Sequence, residues 1–218
     1  MQFEIKTLVS TPLATNNYLI VGESFVAMVE ATATVEQIKR VIGERKLDAV
    51  FLTHSHFDHA SNLENILKAF DTKCYMNEKC HEKIVHHEKQ FYGDRAFSVE
   101  GCDDKIIFVR DGDEIEVGGK KFLCLQTPGH TDDSMSFVFQ DKIFVGDLIF
   151  RGGFGRVDLP SGNDAQEEES IEKVLSFPTN YEIYPGHGET TSIEEVLRMW
   201  SVECRLRLLL RLLFLSCF

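Results

Sequence analysis

Apolar and polar residues alternate along the first thirty positions with the two-residue period of half-buried strands. The runs are Phe3-Glu4-Ile5-Lys6, Asn17 to Val21 and Phe25 to Val29, and Gly22 and Ser24 mark a hairpin turn between the last two. The period then changes. Thr34 and Gln37 have capping-box spacing, Val35, Ile38, Val41 and Ile42 share one helical face, and Gly43 offers a stop. Leu47 to Leu52 reads as a buried strand. A second helix follows, with Ser61 and Glu64 at capping-box spacing and Leu63, Ile66, Leu67 and Phe70 as its stripe. Residues 78 to 101 read as a charged helical and loop excursion. Strands resume at Lys105 to Val109, then at Glu114 to Val117 and Lys121 to Leu125 around Gly118-Gly119, a two-residue hairpin signal. Met135 to Phe139 and Lys142 to Val145 form another pair, and a glycine-rich stretch runs from Arg151 to Arg156. A helix around Glu167 to Ser176, a short strand at Glu182 to Tyr184, and a helix from Ser192 complete the pattern. The last shows capping-box spacing to Glu195 and an Ile193, Val196, Leu197, Trp200 stripe.

Strands in two groups, each closed by helices, predict a layered α/β or α+β domain with two sheets packed face to face. No low-complexity linker or internal repeat divides the chain, so one domain is expected over residues 1–218, with the tail from about 198 set apart. Hydrophobic residues make up 43% and charged residues 27% of the 218 positions, as in ordinary globular proteins. The 23 basic and 35 acidic residues leave a formal charge of −12, and no basic run suggests a nucleic-acid or anionic-membrane partner. Arg205 to Phe214 is leucine-dense, but it is too short and too charged to span a membrane; a docked or frayed terminal helix is the expectation. Cys74, Cys80, Cys102, Cys124, Cys204 and Cys217 show no paired spacing, and Cys74 and Cys124 sit in apolar runs as buried free thiols. With no signal peptide at the start, a cytoplasmic setting is expected.

The chemistry gathers at strand ends. Leu47 to Leu52 leads into Thr53-His54-Ser55-His56-Phe57-Asp58-His59, where three histidines and an aspartate fall within six residues. His54 and His56 are two apart, so both project to one side of an extended backbone. So many imidazole and carboxylate groups in one turn are costly to crowd without a cation. Three later strands end in the same way: Phe122 to Leu125 leads to His130, Ile143 to Val145 to Asp147, and Glu182 to Tyr184 to His187, each preceded by glycine. Each alone is a weak signal. If the four ends converge on one edge, five histidines and two aspartates could hold two metal ions. His81, His86 and His87 repeat no ligand spacing and read as a solvated helix face.

His-x-His-x-Asp-His, Thr-Pro-Gly-His130-Thr, Gly-Asp147 and Pro-Gly-His187-Gly together resemble the metallo-β-lactamase superfamily. The sequence is most similar to its glyoxalase II-like (hydroxyacylglutathione hydrolase) small single-domain branch, from about Thr15 to Ile193. The resemblance implies an αββα sandwich, with two mixed sheets face to face and helices on both outer faces. It implies that His54, His56 and His130 hold one divalent metal and Asp58, His59 and His187 a second, with Asp147 bridging. Zinc is expected, and iron and manganese suit the same ligands.

Finer matches narrow the branch. Asp147 stands where metallo-β-lactamases proper usually carry cysteine, and His56 where the flavodiiron branch has an acidic residue. Gly155-Arg156-Val157-Asp158-Leu159-Pro160 resembles the Gly-Arg-Thr-Asp-Leu-Pro segment of small bacterial-type glyoxalase II-like hydrolases. Arg156 falls where glyoxalase II places a basic contact to glutathione; a structural pair with Asp158 is the competing reading. Only 31 residues follow His187, where glyoxalase II proper has a helical glutathione-binding domain. Glu30 stands where the branch commonly has aspartate at a strand end. The implied activity is hydrolysis of a small thioester such as an acyl-glutathione by metal-activated hydroxide, with Asp58 orienting the nucleophile. The alternatives are a mononuclear iron persulfide dioxygenase, a lactone hydrolase, and a metal-containing binding module without turnover. Sequence leaves the oligomeric state open.

Overall fold

Alternate residues of the central strands enter different cores, and this parity builds the layers. The structure, a computed structural model, describes residues 3–86 and 99–198. In chain order the elements are β1 (Phe3–Ser10), β2 (Thr15–Gly22), β3 (Val26–Val29), α1 (Val35–Ile42), β4 (Ala49–Phe51), α2 (Phe57–Ala60), α3 (Leu63–Phe70), β5 (Lys73–Met76) and α4 (Glu78–Val85). After a 3₁₀ turn come β6 (Ile106–Phe108), β7 (Glu114–Val117), β8 (Lys120–Gln126), β9 (Met135–Phe139), β10 (Lys142–Gly146), the hairpin β11 (Ile149–Phe150) and β12 (Gly153–Phe154), α5 (Asp164–Leu175), β13 (Glu182–Pro185) and β14 (Thr191–Ser192). A further helical stretch occupies 193–198.

One sheet runs β1-β2-β3-β4-β5-β6 and the other β14-β13-β10-β9-β8-β7. Both are mixed: β3 to β6 pair in parallel and β1 to β3 antiparallel, while in the second sheet only β10 and β13 are parallel. Tyr18, Ile20, Ala27, Val29, Ala49 and Phe51 point between the sheets and meet Phe122, Phe137, Phe139 and Phe144. Their neighbours Leu19, Val26, Met28 and Val50 point the other way, onto Ile38, Ile42, Leu63, Ile66 and Ile84 of α1, α3 and α4. The second sheet repeats the division, with Val138, Ile143, Val145 and Ile183 covered by Ile171, Val174, Ile193 and Val196. The layers are therefore α, β, β, α, as expected.

The aromatic interior clamps the strand that carries the histidine motif. Phe51 stacks on Phe122 with ring centroids 4.7 Å apart, and Phe122 on Phe139 at 4.5 Å. Such pairs contribute about 1 kcal/mol each beyond the area they bury. Phe51 thus anchors β4 two residues ahead of Thr53.

Several local expectations are met. Thr34 and Gln37 form a reciprocal capping box, and Gly43 closes α1 with its amide on Lys39 O. Gly118 and Gly119 both take positive φ in the β7–β8 turn, as a primed hairpin turn requires. One expectation fails: α3 is capped by Asn62, without a side-chain bond, and Ser61 closes α2 instead. The histidine-rich turn takes up residues 57–60 as its own short helix, which moves the next helix start along by one. Cys74, Cys80, Cys102 and Cys124 are buried and free. His87, Cys204, Cys217 and the Arg205 to Phe214 tail lie outside the described residues. Among the described residues no helix is long and apolar enough to cross a membrane.

Candidate metal centre

Strand direction brings the candidate ligands together. β8 and β10 are each antiparallel to β9, so they run in the same sense, and β13 is parallel to β10. Their carboxyl ends, leading to His130, Asp147 and His187, therefore leave the sheet at one edge. The first sheet delivers its residues to the same edge through backbone bonds: Met135 N donates to Thr53 O at 2.8 Å, and Asn16 N to Gly186 O at 2.7 Å. Gly146 turns β10 toward the site with φ 55°, and a Cβ there would lie 2.5 Å from Thr53 Oγ1, so only glycine lets the two strand ends approach.

The seven side chains form three overlapping donor groups whose ligand atoms all lie within 4.8 Å: His54, His56 and His130; His54, His59 and Asp147; Asp58, His59 and His187. Nδ1 of His56 is 3.0 Å from both His54 Nε2 and His130 Nε2. On the other side, Asp58 Oδ2 is 3.2 Å from His187 Nε2 and 3.5 Å from His59 Nε2. Asp147 touches both halves, with Oδ1 3.4 Å from His59 Nε2 and Oδ2 3.7 and 3.5 Å from the Nε2 atoms of His130 and His187. His81 and His86 belong to no such group; His81 lies 3.6 Å from Asp103 instead.

Hydrogen-bond partners set the tautomers of two rings. The Thr53 hydroxyl donates its one proton to Glu30 Oε1 at 2.6 Å, so across the 3.0 Å contact with His54 it can only accept. His54 Nδ1 is then the protonated nitrogen, and Nε2 faces the site with a lone pair. Nδ1 of His130 donates to the Arg156 carbonyl at 2.8 Å, with the same result. His59 Nε2 and Asp147 Oδ1 are buried with no hydrogen-bond partner, although they face each other. Orphaned donor atoms turned inward fit a cation, and imidazole with carboxylate is a zinc- or iron-type set.

Electrostatics divide the site. Burial pushes the His54 and His56 imidazoles down, helped by neighbouring rings, His56 to about 4. Burial likewise lowers His130, with Asp147 opposing. These three are neutral, the form that binds metal. In the other half burial opposes charge but loses. Asp147 and Glu30 raise His59 well above its ordinary value, and hydrogen bonds from His187 to Asp147 and Asp58 raise its own imidazole to about 9. Burial also works against the Asp58 and Asp147 carboxylates, yet His187 and His59 hold both low. A metal held by Asp58, His59, His187 and Asp147 would have to displace these protons.

The residues that support this cluster were less legible. Thr15 Oγ1 donates to Asp58 Oδ2 at 3.2 Å, and Asn16 Nδ2 ties Tyr18, Pro185 and Gly188 together behind His187. Asp133 and Glu167 are buried acids beside the ligand loops. Position in the strand-end motifs was the only available signal, since Thr53 precedes His54 and Asp133 follows His130 by three. Arg156 forms a bidentate pair with Asp158 at 2.7 and 2.8 Å, holding that carboxyl down at about 2.

This arrangement belongs to a known family. Residues 10–201 match the metallo-beta-lactamase superfamily, and the chain is a member of it. A probable metallo-hydrolase of Streptococcus pyogenes serotype M6 is 31% identical, covering 82% of this chain and 81% of its own. A hydroxyacylglutathione hydrolase of Photobacterium profundum is 28% identical over 85% of this chain and 67% of its own. The crystal structure of the BLEG-1 B3 metallo-beta-lactamase superposes with a TM-score of 0.79 at 24% identity, covering 88% of this chain and 95% of that one, a likeness of fold alone. Family, fold and donor set together define a metal-dependent hydrolase of this superfamily.

Proposed function

We propose that the protein is a thioesterase that hydrolyses an acyl-glutathione such as S-lactoylglutathione. The observation that carries this is Asp147, whose carboxylate lies between the two donor groups, within 3.7 Å of His130 of one and 3.4 and 3.5 Å from His59 and His187 of the other. His54, His56 and His130 would hold one divalent ion, zinc in the first instance, and Asp58, His59 and His187 the other, with Asp147 shared. Such ions, when bound, polarise a carbonyl and bring the pKa of water near neutrality.

The chain's own residues do the rest. Asp58 stands at the inner face of the site, with Thr15 Oγ1 and His187 Nε2 both 3.2 Å from its Oδ2. It orients the attacking water by accepting a hydrogen bond from it while the carbonyl carbon is approached. Thr53 and the Arg156 carbonyl keep His54 and His130 turned with Nε2 inward. Arg156 contacts an anionic group of the thiol portion by exchanging its bond to Asp158. The hydroxyacylglutathione hydrolase relative supports the substrate class, and a net charge of −12 is no obstacle, since fields at such a site act over a few ångströms.

Asp58→Asn is expected to abolish thioester hydrolysis while far-UV circular dichroism stays unchanged; unchanged turnover overturns the assignment. Elemental analysis of protein purified without added metal should give near two ions per chain. One iron per chain, with oxygen uptake on glutathione persulfide, would replace the hydrolase by a dioxygenase.

A further inference from the structure

Asp133 is fully buried, and both of its carboxylate oxygens are used. Oδ2 accepts the backbone amide of Ser55 at 2.8 Å, and Ser55 lies between His54 and His56. Oδ1 accepts Lys83 Nζ of α4 at 2.7 Å, and that lysine side chain is only 13% exposed. Lys83 also donates to Asp132 and, at 2.9 Å, to Ser161 Oγ, while Lys79, one turn earlier, reaches Asp132 at 3.2 Å. One helix face thus grips the turn after His130 and the loop after Arg156, and through Asp133 it reaches the backbone between two ligand histidines.

Stability alone does not account for this arrangement. A buried ion pair gains little over apolar residues of equal volume, because desolvation consumes most of its attraction. What apolar residues cannot supply is a fixed acceptor for the Ser55 amide. The rise of the backbone at Ser55 sets how far apart His54 and His56 stand, and ligand orientation by surrounding hydrogen bonds governs metal affinity.

We infer that Lys83 and Asp133 are positioning residues that hold the His54–His56 half of the metal centre in binding geometry. The inference rests on the metal-centre reading above. Lys83 supplies the charge that holds the Asp133 carboxylate in place, and Asp133 holds Ser55.

The test titrates metal-free protein with Co²⁺, reading ions bound per chain, affinity and the visible spectrum of the bound ion, with thermal unfolding as a check on folding. Wild type should bind two ions. Lys83→Met and Asp133→Leu should each weaken one of the two at least about tenfold and alter its spectrum. Because Lys83→Met strands the buried Asp133 carboxylate, the Lys83→Met/Asp133→Leu double variant, which removes the charge and the Ser55 acceptor together, is measured too. With no stranded charge it folds, and its affinity for that ion should still be at least about tenfold weaker. Wild-type affinity and spectrum in the double variant, or in either single variant if folded, overturn the inference and leave the metal centre standing. Failure of the wild type itself to bind Co²⁺ overturns both.

Discussion

Nδ1 of His59 lies 3.1 Å from Oε1 of Glu30, and both side chains are closed off from solvent. The ring N–H is not aligned for a full hydrogen bond, so the contact acts by charge. Glu30 sits at the end of β3 with φ 67°, a backbone strain that a side chain tolerates only when its surroundings hold it there. Its amide bonds to Phe51 O, and the next amide to His59 O. The same oxygen takes the Thr53 hydroxyl, so one carboxylate steers His59 directly and His54 through Thr53.

Glu30→Gln keeps the shape and removes the charge. Metal affinity is expected to fall by about tenfold or more, the usual effect of losing a residue that orients ligands. Competition with a chelator of known affinity measures it; unchanged affinity would show that the shape of Glu30 suffices.

Gly186 precedes His187, and a Cβ on it would stand 2.3 Å from Asp147 Oδ1 and 2.6 Å from His59 Cε1. Gly186→Ala should therefore displace two ligands that the hydrophobic layers do not depend on. Expected results are loss of at least one bound ion by elemental analysis, with a change in unfolding free energy of only about 1 kcal/mol in the metal-free protein.

Metal removal should destabilise the fold, because ions bind only the assembled site. An ion held at 100 times its Kd adds about 2.7 kcal/mol. For a chain of this size that corresponds to a melting temperature roughly 5–10 °C lower after chelation. Scanning calorimetry with and without chelator checks it, and coincident transitions would contradict occupancy by tightly bound ions.

Glu167, on the inner face of α5, is buried with neither carboxylate oxygen hydrogen-bonded. Burial pushes its carboxyl up to about 8, and the amides of His130 and Gly155 offset this only partly, being close but not aligned. Between the ordinary carboxylate range and pH 8 the unfolded chain releases a proton that the folded chain keeps, so stability falls as pH rises through that window. Glu167→Gln removes this slope. In metal-free protein the variant should gain on the order of 3 kcal/mol over wild type at pH 8.5 relative to pH 5. Urea unfolding at the two values checks it, and parallel stability profiles would refute it.

Period and spacing along the chain determined much of this protein. Two-residue alternation in Tyr18 to Val21 and Phe25 to Val29 sorts side chains between two cores whatever the partner strands are, because a strand has only two faces. The Thr34 and Gln37 capping box is local chemistry, complete within one turn. The candidate ligand set was legible because seven metal-type side chains stand at four strand ends, and three of them follow glycine.

What only the tertiary structure decided is how those ends meet. Asp147 comes between the two histidine groups because β10 lies beside β13 with the same direction, a pairing of residues forty positions apart that no local period encodes. Ser61 lost its expected capping role because the histidine-rich turn folded into a helix of its own. Thr53, Asp133, Lys83 and Glu167 resemble ordinary surface residues in sequence. Each became buried, or for Lys83 largely covered, through contacts from elsewhere in the chain, and a polar residue's burial depends on which distant segment covers it.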